Sequence, residues 1–346
     1  MSPEPNHRIR AWSNVLRSAY EPADGKAAAS SASLPRQVGR GENSLGPPRH
    51  EVIMSNENER GSEAPKTRTL YPIRSRDAWR ISETEAKGLR RICVLDTETT
   101  GLDVDRHQVI EICAAMVMVD HAGRVRGIRS IGSGYVDPGQ PLDPTITELT
   151  GITDADVAGQ DIDRDKLTSF IEECEGVISF NCAFDRPFVE KLLPNQKDVK
   201  WGCAMADVPW RKLGFEPGPQ GFLVMQAGKF MPAAHRAQDD VFALVELLAH
   251  QCRDGETVMA KTLKAMDAPA WRFEARNAPY RFKDELRQHR YRWAADAGRK
   301  VWHKHVRDGE YDAELDWYRT AIGQEPAIVE LPATQRYRAE RTWKAA

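Results

Sequence analysis

Ile92-Cys93-Val94-Leu95-Asp96-Thr97-Glu98-Thr99-Thr100-Gly101-Leu102 decides the reading of this chain. Four apolar residues make a short strand, and the acids after them stand at its end. Two residues apart on a strand, Asp96 and Glu98 point to one face. Like charges held so close repel unless a cation sits between them, and hard carboxylate oxygens suit Mg²⁺ or Mn²⁺. Asp-x-Glu alone is a weak signal, because most such pairs are solvated charge. Two further features strengthen it. Asp185 closes the stretch Ser179-Phe180-Asn181-Cys182-Ala183-Phe184-Asp185, just past an apolar strand and inside the first turn of a helix. His235-Arg236-Ala237-Gln238-Asp239-Asp240 then sets a histidine five residues before an aspartate that opens a helix. One histidine and four carboxylates can so converge on the edge of a single sheet, where divalent cations would offset their repulsion.

Working outward, residues 109–119 and 125–136 are long β-rich runs joined by a hairpin turn at His121-Ala122-Gly123. Residues 141–151 form a loop and a short helix that Gly151 ends. Residues 165–173 are helical, 177–180 a strand, and 183–193 a helix stopped by Pro194. The glycines of residues 218–223 lack the spacing of a phosphate loop and mark a turn before a short helix. From Asp240, Val241, Leu244, Val245 and Leu248 recur at helical spacing. Three strands followed by alternating helices and a strand predict an α/β domain with a mixed sheet flanked by helices, over residues 88–255.

The flanks differ. Residues 1–75 are expected to be a tail: an Ala/Ser stretch, the breaker Gly46-Pro47-Pro48, a nearly all-polar run from Asn56 to Arg68, and at most a short helix over 11–20. Met54 follows Glu51-Val52-Ile53, whose codons could hide a ribosome-binding site, and is expected to be the true start. Residues 271–307 hold 11 Lys+Arg against 4 Asp+Glu, interleaved with Trp271, Phe273, Tyr280, Phe282, Tyr291, Trp293 and Trp302. They predict a small α+β module over 265–320: a strand near Tyr280, a helix over 283–288, and a hairpin around Asp296 to Arg299 with Trp293 and Trp302 on its arms. Residues 321–346 are expected to be a tail. The net charge of −2 hides a segregation, with 15 Lys+Arg against 11 Asp+Glu over residues 1–90, 15 against 25 over 91–252, and 19 against 15 over 253–346. An acidic middle suits bound cations, and basic flanks suit a polyanion. At 41% apolar the chain can bury a sizeable core, and no apolar run reaches the roughly 20 residues of a membrane span. There is no apolar signal region and no C-x-x-C pair, so the six cysteines are expected as buried free thiols in a reducing bacterial cytoplasm or nucleoid.

Asp96-Thr97-Glu98-Thr99-Thr100-Gly101-Leu102 resembles the first motif of the DEDDh 3′–5′ exonucleases, the family of the polymerase III proofreading (epsilon) subunit and RNase T. Asn181-Cys182-Ala183-Phe184-Asp185 is similar to its second motif, and His235-Arg236-Ala237-x-x-Asp240 to its third. Leu149-Thr150-Gly151-Ile152-Thr153 resembles the proofreading branch. The likeness covers about residues 91–250. It implies an RNase H-like fold and a site of two Mg²⁺ (or Mn²⁺). Asp96 would bridge both ions, Glu98, Asp185 and Asp240 would complete their shells, and His235 would be the general base, with Glu98 also orienting the water. Asp239 is an adjacent candidate for the last ligand, with helix phase and family spacing favouring Asp240. Thr99, Leu102 and Asn181 match positions that touch the terminal nucleotide, Leu102 as an apolar wedge. On its residues alone Leu102 could equally cap the core.

The activity implied is metal-dependent hydrolysis of DNA from the 3′ end, releasing nucleoside 5′-monophosphates. The alternatives are an RNA 3′–5′ exonuclease and a non-catalytic nucleic-acid-binding adaptor. No polymerase motif stands in the chain, so proofreading would need a partner polymerase. The C-terminal stretch resembles small accessory modules of bacterial nucleases and helicases. Basic residues interleaved with aromatics suit single strands, which makes Arg287, Arg292 and Lys300 candidate phosphate contacts. Trp293 and Trp302 are expected to pack the module's own core, which so small a domain needs.

Overall fold

The computed structural model describes residues 50–53, 67–231, 236–296 and 299–338. Two compact units divide the chain, Met1–Thr69 and Leu70–Ala346, and the second carries both the candidate site and the C-terminal module. Its central sheet has five strands, β1 (Arg90–Thr99), β2 (Val109–Val119), β3 (Val125–Tyr135), β4 (Val177–Ser179) and β5 (Trp201–Cys203), in the order β3-β2-β1-β4-β5. β2 runs antiparallel to β1 and to β3, while β1–β4 and β4–β5 are parallel. This is the mixed sheet, flanked by helices, of an RNase H-like α/β fold.

The order follows from composition. Val-Ile-Glu-Ile-Cys-Ala-Ala-Met-Val-Met-Val is buried along all of β2, as an interior strand covered on both faces requires. The β2–β3 turn is held by Asp120, whose carboxylate accepts from the amides of Ala122 and Arg124, each at 2.9 Å. Gly123 takes φ +75° there, and a Cβ at that position would meet Ala260 at 2.5 Å.

Four helices matter for the site: α1 (Cys182–Leu192), α2 (Gln220–Gln226), α3 (Ala237–Ala249) and α4 (Val258–Asp267). Every side chain of α3 from Val241 to Leu248 is buried, because it lies on β1–β3 with α2 and α4 against it. α1 packs on the opposite face of the sheet, so the two helices bring their first turns to β1 from both sides.

The N-terminal boundary expected at residue 75 shifts. Leu70 and Trp79 are each only 3% exposed, and Tyr71 and Pro72 pair in parallel with Lys229 and Phe230. Arg74 stacks 3.6 Å above the Trp79 ring and bridges Glu246 at 2.7 Å, so this segment is part of the packed domain. Residues 11–20, read as tail with at most a short helix, and the start at Met54 lie outside the described residues.

The C-terminal module has a four-stranded antiparallel sheet, β6 (Ala270–Ala275), β7 (Arg292–Asp296), β8 (Arg299–Arg307) and β9 (Ala327–Glu330), in the order β7-β8-β6-β9. α5 (Lys283–Gln288) and α6 (Tyr311–Ile322) pack on it around Phe273, Leu286, Tyr291, Val306, Tyr318 and Ile322. The β7–β8 hairpin pairs Trp293 with Trp302 as the sequence implies. Two expectations are corrected. Tyr280–Phe282 is a single 3₁₀ turn behind Pro279, and the strand lies upstream at β6. Nor does a tail begin at residue 321: Ile322 is core, Gly323 caps α6 with φ +72°, and the β-branched run of β9 adds an edge strand to β6. All six cysteines are free and buried.

Candidate metal centre

Strand alternation sets the centre. Asp96 and Glu98 leave the same face of β1 and meet Asp240 from the first turn of α3. One carboxylate oxygen from each lies within 4.8 Å of the others. Register shifts between Glu98 and Thr99, a bulge that re-aims the chain as it leaves the strand. Thr97, on the opposite face, donates its hydroxyl to Asp185 Oδ1 at 2.9 Å and so ties the first turn of α1 to the same strand end. Asp185 is buried, while Asp96, Glu98 and Asp240 each keep part of their surface open. The structure thus brings three predicted ligands together and sets the fourth beside them, held by Thr97. His235 lies outside the described residues. Asp239, next to Asp240, is not one of the convergent three.

The acids raise one another's proton affinity. Burial holds the Asp96 carboxyl well above the usual carboxylate range, reinforced by the charges of Asp185, Asp240 and Glu98. Glu98 is pushed up to about 8, by burial first and then by Asp240 and Glu111. Asp185 rises to about 6 because it is buried, even though hydrogen bonds from Thr97 and Ser179 favour its ionised form. Among the described residues no arginine or lysine bridges Asp96, Glu98 or Asp185. An all-oxygen donor set that cannot ionise together cheaply fits a hard divalent cation, which would replace the protons.

Three side chains around the centre escaped the sequence reading. Glu111, opposite Glu98 on β2, is buried and takes Arg236 in a two-point ion pair at 3.1 and 3.2 Å, while its Oε2 accepts from the Ala237 amide at 3.1 Å. Tyr135 bonds the same guanidinium. Glu111 therefore anchors the start of α3 and fixes where Asp240 falls. An acid inside the apolar run Val109-Ile110-Glu111-Ile112 was the available signal, since a buried charge needs a partner. Gln220, at the start of α2, donates to the Asp240 carbonyl at 2.8 Å and to its Oδ1 at 3.3 Å, and nothing local in the sequence marks it.

The remaining candidates fall into place differently. Thr99 is buried and donates to the Gly101 carbonyl at 2.8 Å. Leu102 is 85% exposed, so it caps no core. Asn181 sits at the N-cap position of α1 and is half-buried. On the module, Arg287, Arg292 and Lys300 are all exposed. Arg287 lies 5.8 Å from the Trp302 ring, and the β7–β8 register puts Lys300, Trp302 and Trp293 on one face. Arg292 alternates to the other face. Trp302 packs partly against the module core, but Trp293 is 49% exposed and is not the core residue expected.

The five-stranded mixed sheet thus carries convergent carboxylates at the end of its first strand, a donor set suited to a divalent cation. Residues 93–201 match the family model described as exonuclease, RNase T. The DNA polymerase III subunit epsilon of Treponema pallidum is 29% identical over 170 residues, spanning 46% of this chain and 76% of that subunit. The PolC-type DNA polymerase III of Streptococcus thermophilus is 37% identical over 98 residues, 28% of this chain and only 6% of that polymerase. A solved structure of exonuclease X with 5′-overhanging duplex DNA is 22% identical, covers 49% of this chain and 99% of its own, and gives a TM-score of 0.36. The likeness to the exonuclease family so covers about a third of the chain, over the strands and first helix that carry Asp96, Glu98 and Asp185. No helix among the described residues is long and apolar enough to cross a membrane.

Proposed function

We propose that the protein is a divalent-metal-dependent 3′–5′ exonuclease acting on DNA ends and releasing nucleoside 5′-monophosphates. The observation that carries this is the convergence of Asp96, Glu98 and Asp240 within 4.8 Å, with Asp185 fixed beside them by Thr97. Two Mg²⁺ or Mn²⁺ ions bound by these carboxylates would supply charge for the attacking and leaving oxygens of an in-line displacement at phosphorus. The chain's own groups do the rest. Glu98 orients the attacking water, and His235 takes its proton. Glu111 and Gln220 hold Asp240 in place. Leu102, exposed beside the strand end, separates the terminal nucleotide from the next, with Thr99 and Asn181 at its sides. Arg287 and Lys300, with Trp293 and Trp302 between them, receive the single strand leading to the site.

DNA is favoured over RNA because the two relatives named above are a DNA polymerase III and a subunit of one. A partner polymerase or helicase in the bacterial cytoplasm or nucleoid follows from the same reading. The test uses purified full-length protein with Mg²⁺ or Mn²⁺ and end-labelled single- and double-stranded DNA and RNA. Stepwise shortening from the 3′ end of DNA, abolished by EDTA, is the expected result. Shortening of RNA alone would move the protein to the RNA exonucleases. Binding without cleavage would make it an adaptor.

A further inference from the structure

Residues 331–338 do not trail off the module. They run back over the exonuclease domain and grip α1, the helix that carries Asp185. The Arg186 side chain is 1% exposed, and its guanidinium donates to the carbonyls of Arg336 at 2.5 Å and Thr334 at 2.6 Å and to Glu190 at 2.8 Å. Arg338 closes on Glu190 at 2.8 Å and on Asp198 at 2.5 Å, and Gln335 reaches Asp198 at 2.8 Å. The Arg336 guanidinium bonds the carbonyls of Ala265 and Ala268 at the end of α4. The Tyr337 hydroxyl donates to Asp207 at 2.5 Å, and Arg307 of β8 bridges the same carboxylate at 2.5 Å. Tyr337 takes φ +63°, a left-handed conformation that only a firmly held non-glycine residue keeps.

We propose that this segment is a strap that positions Asp185, with Arg186 as the positioning residue. The inference rests on Asp185 being a metal ligand. Arg186 follows Asp185 by one residue, so the two side chains leave α1 about 100° apart, as 3.6 residues per turn requires. Thr97 holds the helix on the sheet side and the strap holds it on the other, so rotation of α1 about its axis is blocked in both senses. Partners that orient a ligand in this way typically account for about 10–100-fold in metal affinity or activity. The C-terminal module would then be coupled to the metal centre through the segment that follows its last strand, whatever else it binds.

The test compares full-length wild type with Arg186→Met, Arg186→Lys and Arg336→Lys. It reads Mn²⁺ affinity by calorimetry, KM and kcat on a short single-stranded DNA as a function of Mn²⁺, and melting temperature without metal. Arg186→Met should weaken Mn²⁺ binding about 10–100-fold and lower kcat at limiting metal while KM holds, with partial recovery at high Mn²⁺. Arg186→Lys, able to reach one carbonyl, should fall between, and it keeps the test open should the methionine variant not fold. Arg336→Lys, whose side chain anchors on α4, should lower melting temperature with a smaller change in Mn²⁺ affinity. Folded Arg186 variants that bind Mn²⁺ as wild type does would overturn the strap. A wild type that neither binds Mn²⁺ nor cleaves would instead remove the metal-centre reading beneath it.

Discussion

Two clusters of carboxylates each take one member from α1, Asp185 in one and Glu190 in the other, and the protein treats them in opposite ways. At the seam with the C-terminal module, Glu190, Asp198 and Asp207 are each bridged by an arginine, and the Asp207 side chain is almost wholly buried with Arg307 and Tyr337 on it. At the sheet edge, among the described residues, Asp96, Glu98 and Asp185 have no arginine or lysine bridge, and all three hold their protons above the ordinary range. Internal counterions turn an acid into structure. Withholding them leaves an acid that waits for a cation from solution.

The sharpest way to break that contrast is Asp96→Asn. Hydrolysis should fall below detection, while the metal-free melting temperature stays level or rises as repulsion is relieved. Full activity would sink the assignment, and a collapse in melting temperature would make Asp96 structural. His235→Ala comes next. A general base typically contributes about 10²–10⁴-fold, so turnover should drop by that much with calorimetric Mn²⁺ affinity kept. Lost affinity would make His235 a ligand. The seam answers differently. Asp207→Ala leaves the partly exposed Arg307 without its carboxylate and Tyr337 without its acceptor, and losing one partner of such a bond costs about 1–3 kcal/mol, to be read by chemical denaturation. A negligible loss would mean the seam acids are as expendable to folding as those of the sheet edge.

The contrast also has a pH signature. Glu98 ionises at about 8 in the fold against 4.5 ordinarily, and Asp185 at about 6 against 3.8. A carboxyl raised on folding stabilises the native state most below its unfolded value and loses that contribution as pH rises through the folded one. The metal-free protein should therefore lose stability from about pH 4 to about pH 8. Bound Mn²⁺ displaces the protons, so its affinity should climb over the same window and flatten the loss. Melting curves with Mn²⁺ or with EDTA at several pH values check this, and a flat metal-free profile would contradict it.

The sheet edge was legible because its chemistry is local. Period-two alternation put Asp96 and Glu98 on one face, and helix starts placed Asp185 and Asp240. The seam was not legible, because Arg186, Arg307 and Arg338 meet acids and carbonyls up to 150 residues away, and each alone reads as solvated charge. The same blindness misplaced the C-terminal boundary: β9 owes its strand to β6, not to its own four residues. Trp293 misled for a related reason, since a large ring on a hairpin arm can face either way until register and neighbours are known.

The smallest expected effect concerns the exposed basic and aromatic patch of Arg287, Trp293 and Lys300, and the seam dictates how to measure it. Truncating the chain near residue 260 would strip Arg186 of its carbonyl partners and disturb Asp185, so a loss of activity would say nothing about nucleic acid. Charge reversal is cleaner. Arg287→Glu with Lys300→Glu should leave turnover of very short oligonucleotides unchanged and weaken binding of long single strands. It should also flatten the salt dependence by roughly 0.7 in log–log slope per lost phosphate contact. Trp293→Ala should weaken the same binding, by about 1–3 kcal/mol for a stacked base, with little change in melting temperature because the ring is already half outside. Trp302→Ala, removing a ring packed on the core, should lower melting temperature as well. Arg292→Glu, on the opposite face of β7, should change the slope least. If the double reversal binds a long single strand as wild type does, with the same slope, the face docks an acidic protein surface, and the module's tie to the metal centre is the strap alone.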